Sequence, residues 1–320
     1  KASQLFFVGS RPAGYSTPCE TREHACDALE KLQAAFYDLP FVDEQDKAAA
    51  YAAVLTALVR RVLPSAPLIG ITAPAPGTGK SLLADAISII ATGRRAAVLG
   101  LGKDDIEGDK RLTSALLAGD AVIAIDNVER PMFGDLICQA LTQPNIRIRP
   151  LGSGYLVSTP TNIMLMVTAN NLDVRGDLRR RVMLVRLDAR VERPELRRFT
   201  TDFLQEIARQ RGELVQAALT IIRAYLASGD AQSDLPTFGG FEHWSRWCRE
   251  PLTWLGLPDP LLASEILRAQ DPDTLVQQQF FAAWFRVFEA EPVTAARIIA
   301  ASDPQTNSGN DDLRSALDTV

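Results

Sequence analysis

Leu68-Ile69-Gly70-Ile71-Thr72-Ala73-Pro74-Ala75-Pro76-Gly77-Thr78-Gly79-Lys80-Ser81-Leu82 decides the fold. A short apolar run, Leu68 to Thr72, breaks into a Pro/Gly loop, and a helical pattern then runs from Ser81 to Thr92. A strand that feeds a helix through a glycine-rich loop ending Gly-Lys-Ser is a phosphate-binding loop. Glycines let backbone N–H groups curl around the β- and γ-phosphates, and the following helix adds the positive end of its dipole. Lys80 neutralises phosphate charge and the Ser81 hydroxyl is a magnesium ligand, so the nucleotide-binding candidates are Pro76, Gly77, Thr78, Gly79, Lys80, Ser81 and Leu82. The usual pattern has glycine where this chain has Pro74, whose φ is held near −65°.

Around this loop the pattern alternates. Upstream, Asp43-Glu44-Gln45-Asp46 offers an N-cap and an acidic first turn to a helix with Leu55, Leu58, Val59 and Val62 on one stripe, stopped by Pro64. Downstream come a strand (Ala96 to Leu101), a helix (Asp104 to Leu117), a buried strand (Ala121 to Ile125) and a helix (Phe133 to Leu141). A hairpin (Ile146 to Thr159) and strands over Ile163 to Thr168 and Val182 to Leu187 follow. Strands alternating with helices predict an α/β fold, a mostly parallel sheet covered on both faces. After Pro194 the pattern is all-α, with helices expected from Leu196 to Gln210 and from Glu213 to Ala227. The expected organisation is an irregular arm or linker over 1–42, the sheet domain over 43–194, a helical lid over 195–290 and a tail over 291–320. For the tail two readings stand, a plain helical end or the start of a winged-helix unit.

Composition narrows the function classes. With 47% hydrophobic and 23% charged residues in 320, the chain can bury a sizeable core. Its longest nearly uncharged stretch, Ala48 to Val59, is well short of the ~20 residues a membrane span needs, so it reads as a buried helix. A net charge of −5 excludes a globally basic nucleic-acid binder but not a local basic patch. One such patch exists: Arg175 to Arg198 holds nine arginines against four acids. Four irregularly spaced cysteines make no disulfide framework, which favours a reducing cytoplasm. The first residue is Lys1 rather than Met, which leaves room for an upstream segment.

Further candidates follow the loop in order. Ala121-Val122-Ile123-Ala124-Ile125-Asp126 delivers a carboxylate at a strand's C-terminal end, where a parallel sheet builds its ligand crevice, and Asp126 would hold Mg²⁺ through water, opposite Ser81. Asn127 stands next to it, and Glu129 is the nearest carboxylate that could activate water. Met166-Val167-Thr168-Ala169-Asn170-Asn171 ends a strand in tandem amides; Asn170, with Asn171 as runner-up, could bond the γ-phosphate or orient the attacking water. Gly176-Asp177-Leu178-Arg179-Arg180-Arg181, followed by Arg186, supplies guanidinium groups able to reach a neighbouring subunit's γ-phosphate. On the hairpin, Arg147 and Arg149 share a face at period two and could grip phosphates, while Ser153 and Tyr155 near the Gly-Ser-Gly tip could contact sugar or base. Lys110 and Arg111 are weaker candidates for the same channel. Trp244, Trp247 and Trp254, with Arg246 and Arg249, could stack bases but fit a core better.

Taken together, Pro-Gly-Thr-Gly-Lys-Ser, Ile-Asp-Asn, Thr-Ala-Asn-Asn and Gly-Asp-Leu-Arg-Arg-Arg resemble an AAA+ ATPase, specifically the superfamily 3-like helicase module of phage and mobile-element primase-helicases. The resemblance covers roughly 44–260. It implies ATP and Mg²⁺ as cofactors, Lys80 and Ser81 as the Walker A pair, Asp126 as the Walker B aspartate and Asn170 as the sensor. It also implies one of Arg179, Arg180 and Arg181 as the arginine finger, and a homo-oligomeric, hexameric ring. The hairpin between Asp126 and Asn170 is similar to the pore hairpin of such helicases, which implies single-stranded or forked DNA as partner and an upstream primase domain. Pro74 and Asn127 depart from the broad AAA+ pattern. The rival expectations are a non-translocating AAA+ switch (an initiator, a helicase loader or a protein remodeller) and, from Asn127, an ATP-binding scaffold without turnover.

Overall fold

The computed structural model describes residues 19–150, 152–194, 202–230, 235–269, 272–303 and 311–317. Two helices lead, α1 (Arg22–Ala35) and α2 (Glu44–Val59), followed by β1 (Leu68–Ala73), α3 (Lys80–Thr92), β2 (Ala97–Leu99), α4 (Asp105–Ala118) and β3 (Val122–Ile125). Next are α5 (Asp135–Thr142), β4 (Asn145–Ile148), β5 (Val157–Pro160), β6 (Met164–Asn170), β7 (Val182–Arg186) and the long α6 (Phe203–Ser228). Beyond these lie α7 (Glu242–Trp244), a π-helical turn (Ser245–Arg249), α8 (Glu250–Trp254), α9 (Leu262–Ala269), α10 (Pro272–Phe288), α11 (Ala295–Ser302) and α12 (Asp311–Leu317). The chain divides into two compact units, one ending at Ala263 and one starting at Ser264.

Five strands form a parallel sheet in the order β2-β3-β6-β1-β7, and β4 and β5 form a separate antiparallel hairpin. This is the expected α/β architecture followed by a helical region. The central strands are buried along nearly their whole length, which is why they read as unbroken apolar runs rather than alternating ones. β2, expected over six residues, keeps only three, at the sheet's edge.

The acidic start of α2 does more than cap a helix. Asp46, 0% exposed, accepts from the Asp43 N–H (3.2 Å), the Arg186 N–H (2.8 Å) and the Arg186 guanidinium (3.1 and 2.9 Å). Arg186, grouped from sequence with the basic run before it, is therefore the tie between β7 and α2. Its bonds to Asp46 raise its pKa above the ordinary arginine value. At the other end of α2, Arg60 is 2% exposed and donates to the carbonyls of Leu63 (2.8 Å), Thr161 (2.5 Å) and Ile163 (2.9 Å). Burial pushes its pKa down to about 10. This one side chain fastens the approach to β1 and the base of the hairpin to the end of α2.

The expected irregular arm contains α1, whose Ala25, Ala28, Leu29 and Leu32 are buried, and Phe36 just beyond it meets Tyr51 and Phe203 at ring-centroid distances of 6.2 and 6.3 Å. The helical spacing was present but written partly in alanines, and the Pro/Gly punctuation flanks the helix instead of interrupting it. Residues 1–18, including the apolar run Leu5 to Val8, lie outside the described residues, as do the start of the helix expected from Leu196, Leu151 in the hairpin and most of the polar stretch 304–311. The two helices expected to meet between Gln210 and Glu213 are one: α6 runs through Gly212. A mid-helix glycine costs about 1 kcal/mol relative to alanine. Here the adjacent Arg211 donates to the carbonyls of Ile89 (3.0 Å) and Ala91 (3.2 Å), capping the C-terminal end of α3.

Of the aromatic-rich stretch, Trp244 is core, Trp247 and Trp254 are half-buried and Arg246 is exposed. Trp244 is buried and donates its indole N–H to the Thr56 hydroxyl (2.8 Å), and the buried Arg249 is held by Asp259 (2.8 and 2.5 Å). In the second unit Ala283, Phe288, Ile298, Leu313 and Ala316 form a small core of their own. No helix among the described residues is long and apolar enough to cross a membrane. Removing one partner of a buried ion pair strands the other, so Arg186→Ala is expected to lower unfolding free energy by about 3 kcal/mol in urea denaturation.

Candidate nucleotide site

β1 ends at Ala73, immediately before Pro74, which has no N–H with which to extend the ladder. The loop then turns through Gly77 (φ 76°) and Gly79 (φ 110°), left-handed conformations that favour glycine. The Thr78 hydroxyl donates across the loop to the Ala75 carbonyl (2.7 Å). Lys80 opens α3, and its ammonium donates to the Ala75 carbonyl (3.2 Å) and to Asn170 Oδ1 (2.5 Å). Burial lowers the Lys80 pKa, opposed by the attraction of Asp126.

The parallel register explains the convergence. Ala73 pairs with Asn170, so the strand that launches the loop and the strand that presents the amide end side by side. Asp126 follows β3 on the other side of β6. Its Oδ1 accepts from the Ser81 hydroxyl (2.9 Å) and from the Thr168 hydroxyl (2.6 Å). Two hydroxyls and a carboxylate form a hard oxygen donor set of the kind Mg²⁺ takes alongside phosphate oxygens. Ser81 and Asp126 thus fit a magnesium ion.

Thr168 is a site residue that local sequence pattern does not reveal. It is buried, donates to Asp126 and accepts from the Asn127 backbone N–H (3.0 Å), so one hydroxyl fixes both the carboxylate and the turn behind it. The available signal was a hydroxyl inside an apolar strand, two residues before Asn170 and hence on the same face. Leu39 is another: its side chain sits about 3.5 Å from where a Cβ on Gly79 would lie, which brings the segment between α1 and α2 over the loop.

Of the tandem amides, Asn170 meets Lys80, whereas Asn171 has a left-handed backbone (φ 50°) and donates its N–H to the Ala73 carbonyl (3.0 Å). Asn171 therefore makes the turn. Asn127 is also left-handed (φ 51°), and its side-chain amide donates to Glu129 Oε1 (3.1 Å). Asp126, Asn127, Glu129 and Arg130 line a cleft of about 380 Å³ together with Gly100 to Gly102.

The other basic candidates stand elsewhere. Arg179, Arg180 and Arg181 immediately precede β7, whose first residue pairs with Leu68 at the start of β1. They lie a strand's length, roughly 17–20 Å, from the loop of their own chain. Arg179 donates to the Val174 carbonyl (2.5 Å), while Arg180 and Arg181 share Asp177. That hydrogen bond lowers the Asp177 pKa and raises that of Arg180, the most exposed of the three.

The hairpin is at the same end, since β5 leads into the start of β6. Along β4, Ile146 and Ile148 are buried and Arg147 and Arg149 exposed, the period-two face expected. At the tip Tyr155 is 66% exposed. Ser153 is half-buried; its hydroxyl lies 2.9 Å from the Pro150 carbonyl and 3.2 Å from that of Tyr155, so it shapes the turn. Arg149 donates to the Ser153 carbonyl (2.6 Å). Arg111 is engaged by Glu107 and by the Gly100 carbonyl, both at 3.0 Å, at the rim of the carboxylate cleft, and Lys110 beside it is exposed.

No protein-family model and no curated protein matches the chain. Among solved structures it is similar to the apo C-terminal region of NrS-1, at 14% identity over 92% of this chain and 65% of that one, with a TM-score of 0.43. Others are the JCV helicase (11% identity, 81% and 71% covered, TM-score 0.32) and the active helicase Cch of SCCmec type IV (14%, 89% and 59%, TM-score 0.36). The chain thus spans 65% of the length of the NrS-1 fragment.

Thr168→Val removes the hydroxyl at nearly constant volume. It is expected to lower kcat for ATP about 10-fold or more while Thr168→Ser stays near wild type, as measured by phosphate release at saturating Mg²⁺.

Proposed function

We propose that this chain is the ATPase module of a nucleic-acid translocase of the AAA+ kind, the replicative DNA helicase module of a phage or other mobile element. The observation that carries this reading is the convergence of Lys80, Ser81, Asp126 and Asn170 at one end of the sheet, with an exposed two-arginine hairpin at the other. Loop N–H groups and Lys80 bind the triphosphate, and Ser81 and Asp126 hold Mg²⁺, which supplies charge neutralisation at the β- and γ-phosphates. Asn170, already bonded to Lys80, marks where the γ-phosphate is sensed. Glu129 is the base that takes a proton from the attacking water.

Distance supports the ring. Because Arg179, Arg180 and Arg181 stand a strand's length from their own loop, a guanidinium that stabilises transition-state charge must come from a neighbouring copy, in a hexameric ring with nucleotide at each boundary. Arg180, exposed and tethered to Asp177, is the best placed. Arg147 and Arg149 then face a nucleic-acid backbone and Tyr155 stacks on a base. An upstream primase domain and a cytoplasmic location complete this reading.

Steady-state ATP hydrolysis with and without single-stranded DNA tests it. Stimulation by DNA is expected, with turnover about 100-fold or more lower in Lys80→Ala and stimulation lost in Arg147→Ala/Arg149→Ala. Turnover that ignores DNA would instead identify a non-translocating switch. Arg180→Ala is expected to bind ATP normally and lose turnover, which mixing with Lys80→Ala protein partly restores, because each variant then supplies what its neighbour lacks. Unchanged activity of Arg180→Ala would remove the finger assignment.

A further inference from the structure

Asn127 stands directly after Asp126, with no acid of its own to offer. Three observations describe what it does there. Its backbone is left-handed at φ 51°, a conformation asparagine tolerates better than glutamate. Its backbone N–H is fixed to the Thr168 hydroxyl at 3.0 Å. Its side-chain amide donates to Glu129 Oε1 at 3.1 Å. Between the two, Val128 is buried and bonded through its N–H to the Thr168 carbonyl (2.8 Å), while Asn127 and Glu129 both stay exposed and line the cleft that holds Asp126.

We propose that Asn127 is a positioning residue for Glu129, holding its carboxylate in the cleft so that the unbonded oxygen can take the proton of the attacking water. This rests on the reading of Glu129 as the base. In the step it serves, the water oxygen forms a bond to the γ-phosphorus as the bond to the β,γ-bridging oxygen breaks. ADP leaves with that electron pair, and the water's proton passes to Glu129. The left-handed turn at 127 favours asparagine over the longer acid at that position, and the amide that the turn accepts anchors the acid two residues on. A wandering carboxylate would be in place for a smaller fraction of the time.

A purely conformational role is separable from a positioning one, since glycine adopts φ 51° freely and has no amide. Asn127→Gly is therefore expected to bind a fluorescent ATP analogue and keep KM for ATP within about twofold, but to lower kcat up to about 100-fold. Asn127→Asp, which tolerates the same backbone and places an acceptor against Glu129, is expected to fall likewise. In a Glu129→Gln background, already low in kcat, Asn127→Gly is expected to add little. Wild-type kcat in Asn127→Gly, with Glu129→Gln inactive, would overturn the positioning role alone. Wild-type kcat in Glu129→Gln would overturn the base assignment beneath it.

Discussion

The register of β1 against β6 is the constraint on which the site depends. With Ala73 opposite Asn170, the phosphate loop and the amide leave the sheet at the same level, and β3, one strand further, brings Asp126 into reach of Ser81. A parallel sheet sends every strand's C-terminal end to one edge, so residues nearly a hundred positions apart meet without any long-range design beyond strand order. A slip of one residue would turn Thr168 and Asn170 to the other face, separating Asp126 from its donor and Lys80 from its acceptor.

The two ends of this sheet are held by different chemistry. At the phosphate end α2 begins, tied to β7 by the Asp46–Arg186 pair. At the far end Arg60, at the close of α2, gathers three carbonyls, Leu63 on the approach to β1 and Thr161 and Ile163 between the hairpin and β6. A buried guanidinium without its hydration is unfavourable unless its donors are met, so these carbonyls have little freedom to move apart. The same helix thus braces the edge where the nucleotide reading applies and the edge from which the hairpin and Arg179 to Arg181 extend.

Much of this was legible along the chain because it depends on local pattern. The loop from Pro74 to Ser81, the strand ending in Asp126 and the β4 alternation of Ile146 and Ile148 with Arg147 and Arg149 are each readable within about ten residues, where periodicity and turn chemistry operate. α1 is hidden in the sequence because its buried face is written partly in alanine, a residue equally at home outside a core. Thr168 is hidden because its significance lies in Asp126, on a different strand.

What the sequence by itself determined was the inventory: a parallel α/β sheet, a phosphate loop, an acid, an amide, a basic run and a hairpin, each marked by residue types its local backbone requires. Only the tertiary structure decided which of these stand together. It joined Lys80 to Asn170 and Ser81 and Thr168 to Asp126, gave Arg186 to Asp46 rather than to the basic run, and set Arg179 to Arg181 a strand's length from their own loop. The reason is physical: strand order and register are settled by burying both faces of the sheet at once, a condition on the whole chain that no short stretch of it can express.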